Sequence, residues 1–146
     1  AGSDEKCDRA LGLGASHVMN NREGDLAGWA RELTQGAGVD MVMDCVGTAL
    51  FGASLFAIGT HGRLVNCGNA SGDEATIPSL GYLFHSGISI IGSDPYEPSE
   101  FAPAWEEFCS GDYQVEIDST YPLEAAGEAQ EKMLSGDFFG KILLTP

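Results

Sequence analysis

Residues 38–47 read Gly-Val-Asp-Met-Val-Met-Asp-Cys-Val-Gly, a compact apolar run closed by glycine at both ends. Its length and bounding glycines predict a buried strand over 39–45, the kind found inside a parallel sheet. Downstream, residues 48–58 predict a helix, Gly59-Thr-His-Gly62 a turn, and Arg63-Leu-Val-Asn-Cys67 a second strand closed by Gly68. A polar loop follows, then a short helix over 79–85 and a third strand over 88–92. Upstream, Leu26, Trp29, Ala30 and Leu33 recur at helical spacing after Asp25, predicting an amphipathic helix over 25–35. Before it come a helix over 4–13, stopped by Gly14, and a short strand over 17–20. Beyond the third strand, residues 99–110 predict a helix with Pro103 in its first turn. The end of the chain reads as strand (116–121), helix (123–135) and strand (141–145).

Strands alternating with helices imply parallel strands joined by crossover helices. The expected fold class is therefore α/β, a doubly wound parallel sheet followed by a strand–helix–strand tail. The alternation changes character near Gly111–Gln114, which marks a soft boundary between residues 1–113 and 114–146.

Seven Lys plus Arg stand against 22 Asp plus Glu, a formal net charge of -15. Nucleic-acid binding needs a cationic surface to displace counterions from phosphates, so this balance argues against it. Anionic membrane surfaces are disfavoured for the same reason. No apolar run approaches the ~20 residues that span a bilayer. Apolar residues make up 43% of the chain, enough for a core and too many for wholesale disorder. An acidic excess with only Lys6, Lys132 and Lys141 as lysines fits either a protein adapted to high salt or an ordinary acidic enzyme. Cys7, Cys45, Cys67 and Cys109 form no metal-binding spacing. Cys45 and Cys67 sit in apolar runs and are expected to be buried, reduced thiols, in keeping with a cytoplasmic location.

In an open parallel sheet, ligands bind beyond the carboxyl ends of the strands. Three predicted strands close on a glycine followed by a small polar residue: Gly47-Thr48, Gly68-Asn69 and Gly92-Ser93. Any one is explained as a tight strand exit; three on one sheet edge point to a crevice that admits a flat ligand close to the backbone. The phosphate-cradling G-x-G-x-x-G motif is absent. Gly12-Leu13-Gly14 sits at a helix end and reads as a C-cap. The chain opens at what reads as the exit of a strand, so the domain is expected to begin before residue 1. His17, His61 and His85 are scattered, and the acidic pairs Asp4-Glu5, Asp73-Glu74 and Glu106-Glu107 are sequence neighbours that diverge on a helix. No catalytic and no metal-ligating residue is expected. Trp29, Trp105, Phe101, Phe108, Phe138 and Phe139 read as core or interface packing.

The runs Gly2–Asp25, Gly38–Gly47, His61–Gly68 and Ser89–Ser93, with the tail from Tyr121 to Leu144, resemble medium-chain dehydrogenases and reductases, within them the zinc-binding alcohol dehydrogenase and quinone oxidoreductase group. The resemblance covers essentially the whole chain and rests on the order of its segments. It implies a partial Rossmann domain over 1–113 and a tail over 114–146 that returns to a catalytic domain outside this sequence. In the family strand order 3-2-1-4-5-6, the strand at 17–20 would be separated from that at 39–45 by two strands this sequence lacks. The implied activity is hydride transfer between a nicotinamide coenzyme and an alcohol or carbonyl, or a quinone or enone. By the same resemblance Ser3 and Lys6 stand where NADP users hold the 2′-phosphate, with NAD the alternative; Ser3 as an N-cap and Lys6 as a solvated charge remain the plain reading. Asn21 would lie near the adenine ribose, Cys45, Val46, Gly47 and Thr48 against the adenosine half, and Gly68, Asn69 and Ser93 near the nicotinamide. Zinc in the full-length protein is possible, with ligands outside this chain. A homodimer through the strand at 88–92 is implied by its exposed, apolar edge. The rival readings are a non-catalytic α/β module that senses nucleotides or docks partners, and a methyl-donor-binding transferase whose tail would differ.

Overall fold

The computed structural model describes residues 1–93, 96–111 and 113–146. The chain divides into two compact units, Ala1–Pro95 and Tyr96–Pro146.

The first unit contains α1 (Asp4–Gly12), α2 (Leu26–Leu33), β1 (Val39–Asp44), α3 (Phe51–Ala57), β2 (Ile58–Asn66), α4 (Leu80–His85) and β3 (Ser89–Gly92). The three strands form one parallel sheet in the order β1-β2-β3, as the strand–helix alternation predicts. The Ser3 hydroxyl caps α1 by accepting from the Lys6 amide, and the helix closes on Gly14 at φ 99°. Asp25 caps α2 through the Ala27 amide. Leu55, Ile58, Leu64 and Ile88 form the buried core, with Val39, Val42, Phe51, Tyr82 and Leu83 packed against it.

Three expectations are corrected here. Residues 17–20 form no strand: Ala1 donates to the Met19 carbonyl and accepts from the Asn21 amide, and one residue cannot sustain a ladder. The predicted turn at 59–62 lies inside β2, and the preceding helix is correspondingly shorter. Val39 pairs with Ile58 but Met41 with Arg63, so β2 carries three more residues than β1 across that step. Gly59 and Gly62 permit this, since a Cβ at either would collide with Ala37 O or with Ile58. Finally, β1 is not a buried strand. It is an edge of the sheet, and Met41 and Met43 are 49% and 59% exposed.

The second unit contains α5 (Pro98–Ser110), β4 (Ile117–Pro122), a 3₁₀ turn (Leu123–Ala125), α6 (Ala126–Ser135) and β5 (Lys141–Thr145). β4 and β5 pair in parallel, joined by α6, matching the predicted strand–helix–strand tail. The Asp118 carboxylate ties this unit together, accepting from the Phe139 amide at 3.0 Å and pairing with the Lys132 ammonium. The Lys132 hydrogen bond, then that of Phe139, holds its pKa down at about 2. α5 buries none of its residues. Phe101, Trp105 and Phe108 stack along it and are exposed rather than core. No helix among the described residues is long and apolar enough to cross a membrane.

Candidate functional site at the carboxyl edge of the sheet

The register aligns the three strand ends. Asp44 pairs with Asn66, and Asn66 with Gly92. The loops that leave these residues therefore start from one row, the edge at which open parallel sheets bind ligands.

Asp44 organises the first loop. It is a buried carboxylate, 3% exposed. Its Oδ1 accepts from the amides of Val46 at 2.9 Å and Gly47 at 3.1 Å. Burying a charge is costly unless donors meet it, and these two amides do so while turning the chain sharply out of the strand. Gly47 sits at φ 78°, and a Cβ there would lie 2.7 Å from the Gly72 carbonyl. Only glycine meets both demands without strain.

The second loop lies along the first. The amide of Cys67 donates to Asp44 O (2.8 Å), Ala70 to Cys45 O (3.2 Å) and Ser71 to Val46 O (2.8 Å). The Ser71 hydroxyl also donates to Val46 O and accepts from the Ala49 amide, and the Thr48 hydroxyl donates to Glu74 O. Asn66 braces the join, donating from Nδ2 to Gly68 O at 2.9 Å and accepting from the Ser93 amide at its carbonyl. Between the second and third loops opens a cleft of about 570 Å³ lined by Asn66, Cys67, Gly68, Asn69, Asp73, Gly92 and Ser93. Asn69 Nδ2 donates to the Asp73 carboxylate at its rim.

The structure thus brings Cys45, Val46, Gly47, Thr48, Gly68, Asn69 and Ser93 into one assembly. Ser3, Lys6 and Asn21 gather separately around the start of α1, where the Asn21 amide bonds Ala1 O and Arg22 lies beside Gly2. Cys45 is exposed and Cys67 half-buried, because both stand where the sheet ends and the loops begin; burial was expected from their apolar neighbours. Asp44, Asn66 and Asp73 escaped the sequence reading. The signal for Asp44 was present, since a lone Asp ending an apolar strand must find donors. No group of three or more His, Cys, Asp or Glu side chains converges as a metal shell among the described residues.

Residues 1–110 match the family model described as zinc-binding dehydrogenase. The quinone oxidoreductase of Salmonella typhimurium is 33% identical over 157 residues, covering 99% of this chain and 47% of its own length. The crystal structure of an NAD-dependent alcohol dehydrogenase superposes with a TM-score of 0.88 at 31% identity, covering all of this chain and 42% of that one. A mycobacterial protein solved in complex with NADPH superposes at 0.81 with 28% identity, covering 99% of this chain and 48% of that one. The chain spans about half the length of the curated relatives it matches.

Proposed function

The chain belongs to the zinc-binding dehydrogenase family of oxidoreductases, and from that premise we propose that its sheet edge holds the nicotinamide coenzyme of an enzyme exchanging hydride with an alcohol or carbonyl, or a quinone or enone. The observation that carries this reading is the row Asp44–Asn66–Gly92, from which three glycine-bearing loops leave one sheet edge, the second and third of them lining a cleft. Gly47 leaves no room for a side chain, a Cβ at Gly68 would press on Cys45 O at 3.1 Å, and Gly92 has open space where a Cβ would point. A flat ring can therefore approach the main chain closely. Cys45, Val46, Gly47 and Thr48 would take the adenosine half; Gly68, Asn69 and Ser93 the nicotinamide end. When bound, the coenzyme supplies the hydride; these residues orient its ring and keep water away. Nothing in their chemistry requires them to carry a proton.

We favour NADP, with NAD the alternative. Ser3 and Lys6 at the start of α1 and Asn21 after it offer a hydroxyl, an ammonium and an amide to a ribose phosphate. One solved relative carries NADPH and another is named NAD-dependent, so coenzyme preference is the finer part of the reading. Zinc in a longer chain would polarise the substrate oxygen; the residues described here offer it no shell and receive no metal role. Residues 1–113 would form the later part of the coenzyme domain and 114–146 the return to the catalytic domain. The edge of β3, with Ile90 and Ile91 about 40% exposed, would pair with a second copy. Four unpaired thiols suit a reducing, cytoplasmic setting.

The test is a titration of the 146-residue chain and of a chain extended to family length with NADPH and with NADH, read by nicotinamide fluorescence. The extended chain is expected to bind NADPH more tightly than NADH, and the 146-residue chain weakly or not at all. An extended chain that binds neither overturns the reading.

A further inference from the structure

We propose that Cys45 and Cys67 form a cross-strand dithiol that oxidises to a disulfide at the mouth of the cleft, making this pair a redox-modification site. The register carries the argument. Asp44 and Asn66 are partners in the parallel ladder, and Asn66 Nδ2 lies 3.4 Å from Asp44 Oδ2, so the two side chains share a face. Cys45 and Cys67 are the first residues beyond the two strand ends, one step past that pair. The two segments stay in contact there. The Cys67 amide donates to Asp44 O at 2.8 Å, the Cys67 thiol reaches that same oxygen at 3.5 Å, and a Cβ at the adjacent Gly68 would stand 3.4 Å from Cys45 Cα. Neighbouring strands run roughly 4.8 Å apart, inside the ~4.4–6.8 Å between Cα atoms that a disulfide bridges.

Access favours the same two thiols. Cys45 is exposed and Cys67 lines the cleft, while Cys7 is buried and Cys109 belongs to α5 in the other unit. With a hydroperoxide as oxidant, both S–H bonds and the O–O bond break and one S–S bond forms. The two sulfurs are oxidised, and the peroxide oxygens leave as water when the oxidant is hydrogen peroxide. The bond would staple the loop of Gly68 and Asn69 to the loop of Val46 and Gly47, fixing the cleft in one shape. This inference depends on the aligned strand ends and the contacts just beyond them, and stands apart from any coenzyme.

The test treats the intact chain with hydrogen peroxide, blocks remaining thiols with iodoacetamide, and digests with trypsin and a glutamate-specific protease. The expected product joins peptide 33–63 to peptide 64–74, lighter than their sum by two hydrogens and separated by dithiothreitol. Oxidation in concentrated urea, which abolishes the register, should scatter the pairing among all four cysteines. Recovery of Cys45 and Cys67 still alkylated after peroxide, pairing of either with Cys7 or Cys109 in the folded chain, or conversion of Cys45 alone to its sulfinic acid would each overturn the proposal.

Discussion

Arg31 and Tyr82 converge on one carbonyl. Arg31 Nη2 and the Tyr82 hydroxyl each donate to Ile58 O at 2.6 Å, and Nη2 also donates to the Tyr82 oxygen. The remaining guanidinium nitrogens reach Phe56 O and Gly36 O. Ile58 is fully buried where α3 passes directly into β2, so its carbonyl must be satisfied from outside the ladder. One arginine and one tyrosine thus tie α2, α3, β2 and α4 together.

Removing the hydroxyl alone, Tyr82→Phe, leaves the arginine in place and should cost about 0.5–1.5 kcal/mol. Arg31→Met takes one donor from each of three carbonyls, of which Ile58 O keeps the Tyr82 hydroxyl, and should cost about 1.5–3 kcal/mol, discounted because two of those bonds are exposed to water. Each single variant leaves the buried Ile58 carbonyl one of these two donors and the double variant leaves it neither, so the double variant should lose more than the sum. Urea denaturation of the four proteins checks this.

Gly47→Ala meets two penalties at once, a left-handed backbone and the Gly72 carbonyl in its path. A loss of about 1–3 kcal/mol is expected. Ala substituted at Gly92, where space is open, should change stability far less while narrowing the cleft. Thermal melts of both variants, compared with coenzyme titration in the extended chain, separate the structural glycine from the one at the cleft.

Asp44→Ala removes the acceptor for the Val46 and Gly47 amides and should free the first loop. The measurement is amide hydrogen exchange: those two amides should exchange much faster, while that of Leu64 in the core keeps most of its protection.

Asp118 gives the second unit an acid limb. Its folded pKa of about 2 lies below the ordinary 3.8, so its ion pair and hydrogen bond contribute in full above pH 3.8 and are lost as pH falls toward 2. The partner Lys132 is raised above 10.5 by the same contact, and its share is lost only as pH climbs beyond that value. Asp118→Asn should flatten the melting-temperature profile between pH 4 and 2 and leave its slope near neutrality unchanged.

Ile91→Lys places a charge on the outer strand β3. If the edge pairs copies of the chain, this variant should sediment as monomer at concentrations where the unmodified protein associates. Unchanged sedimentation would remove β3 from the assembly.

Regular elements were legible wherever one local signal dominated. The tail strand at 141–145 and the helix started by Asp25 follow from a run of apolar residues and from a cap. The tail, the parallel sheet and the loops around Gly47 and Gly68 follow from strand–helix alternation and closing glycines. What escaped depended on neighbours distant in sequence. Residues 17–20 have the composition of a strand, but strand formation needs a partner along their length. Gly59 and Gly62 read as a turn locally, whereas the sheet absorbs them as an irregularity against β1. The aromatic residues of α5 read as core or interface packing by composition, and the helix buries none of them, which removes the core half of that reading. The site was legible as glycines but not as the carboxylate that shapes their loop, because the role of Asp44 depends on two amides becoming donors only after the chain turns.

The three surplus residues of β2 sit at the opposite end of that strand from Asn66, and His61 at their centre is exposed in a left-handed conformation. Length is therefore negotiable at the entrance to the strand and rigidly phased at its exit. A residue added around His61 is expected to be absorbed at that entrance, while a single insertion between Arg63 and Asn66 would slide the final row out of alignment and dismantle the crevice.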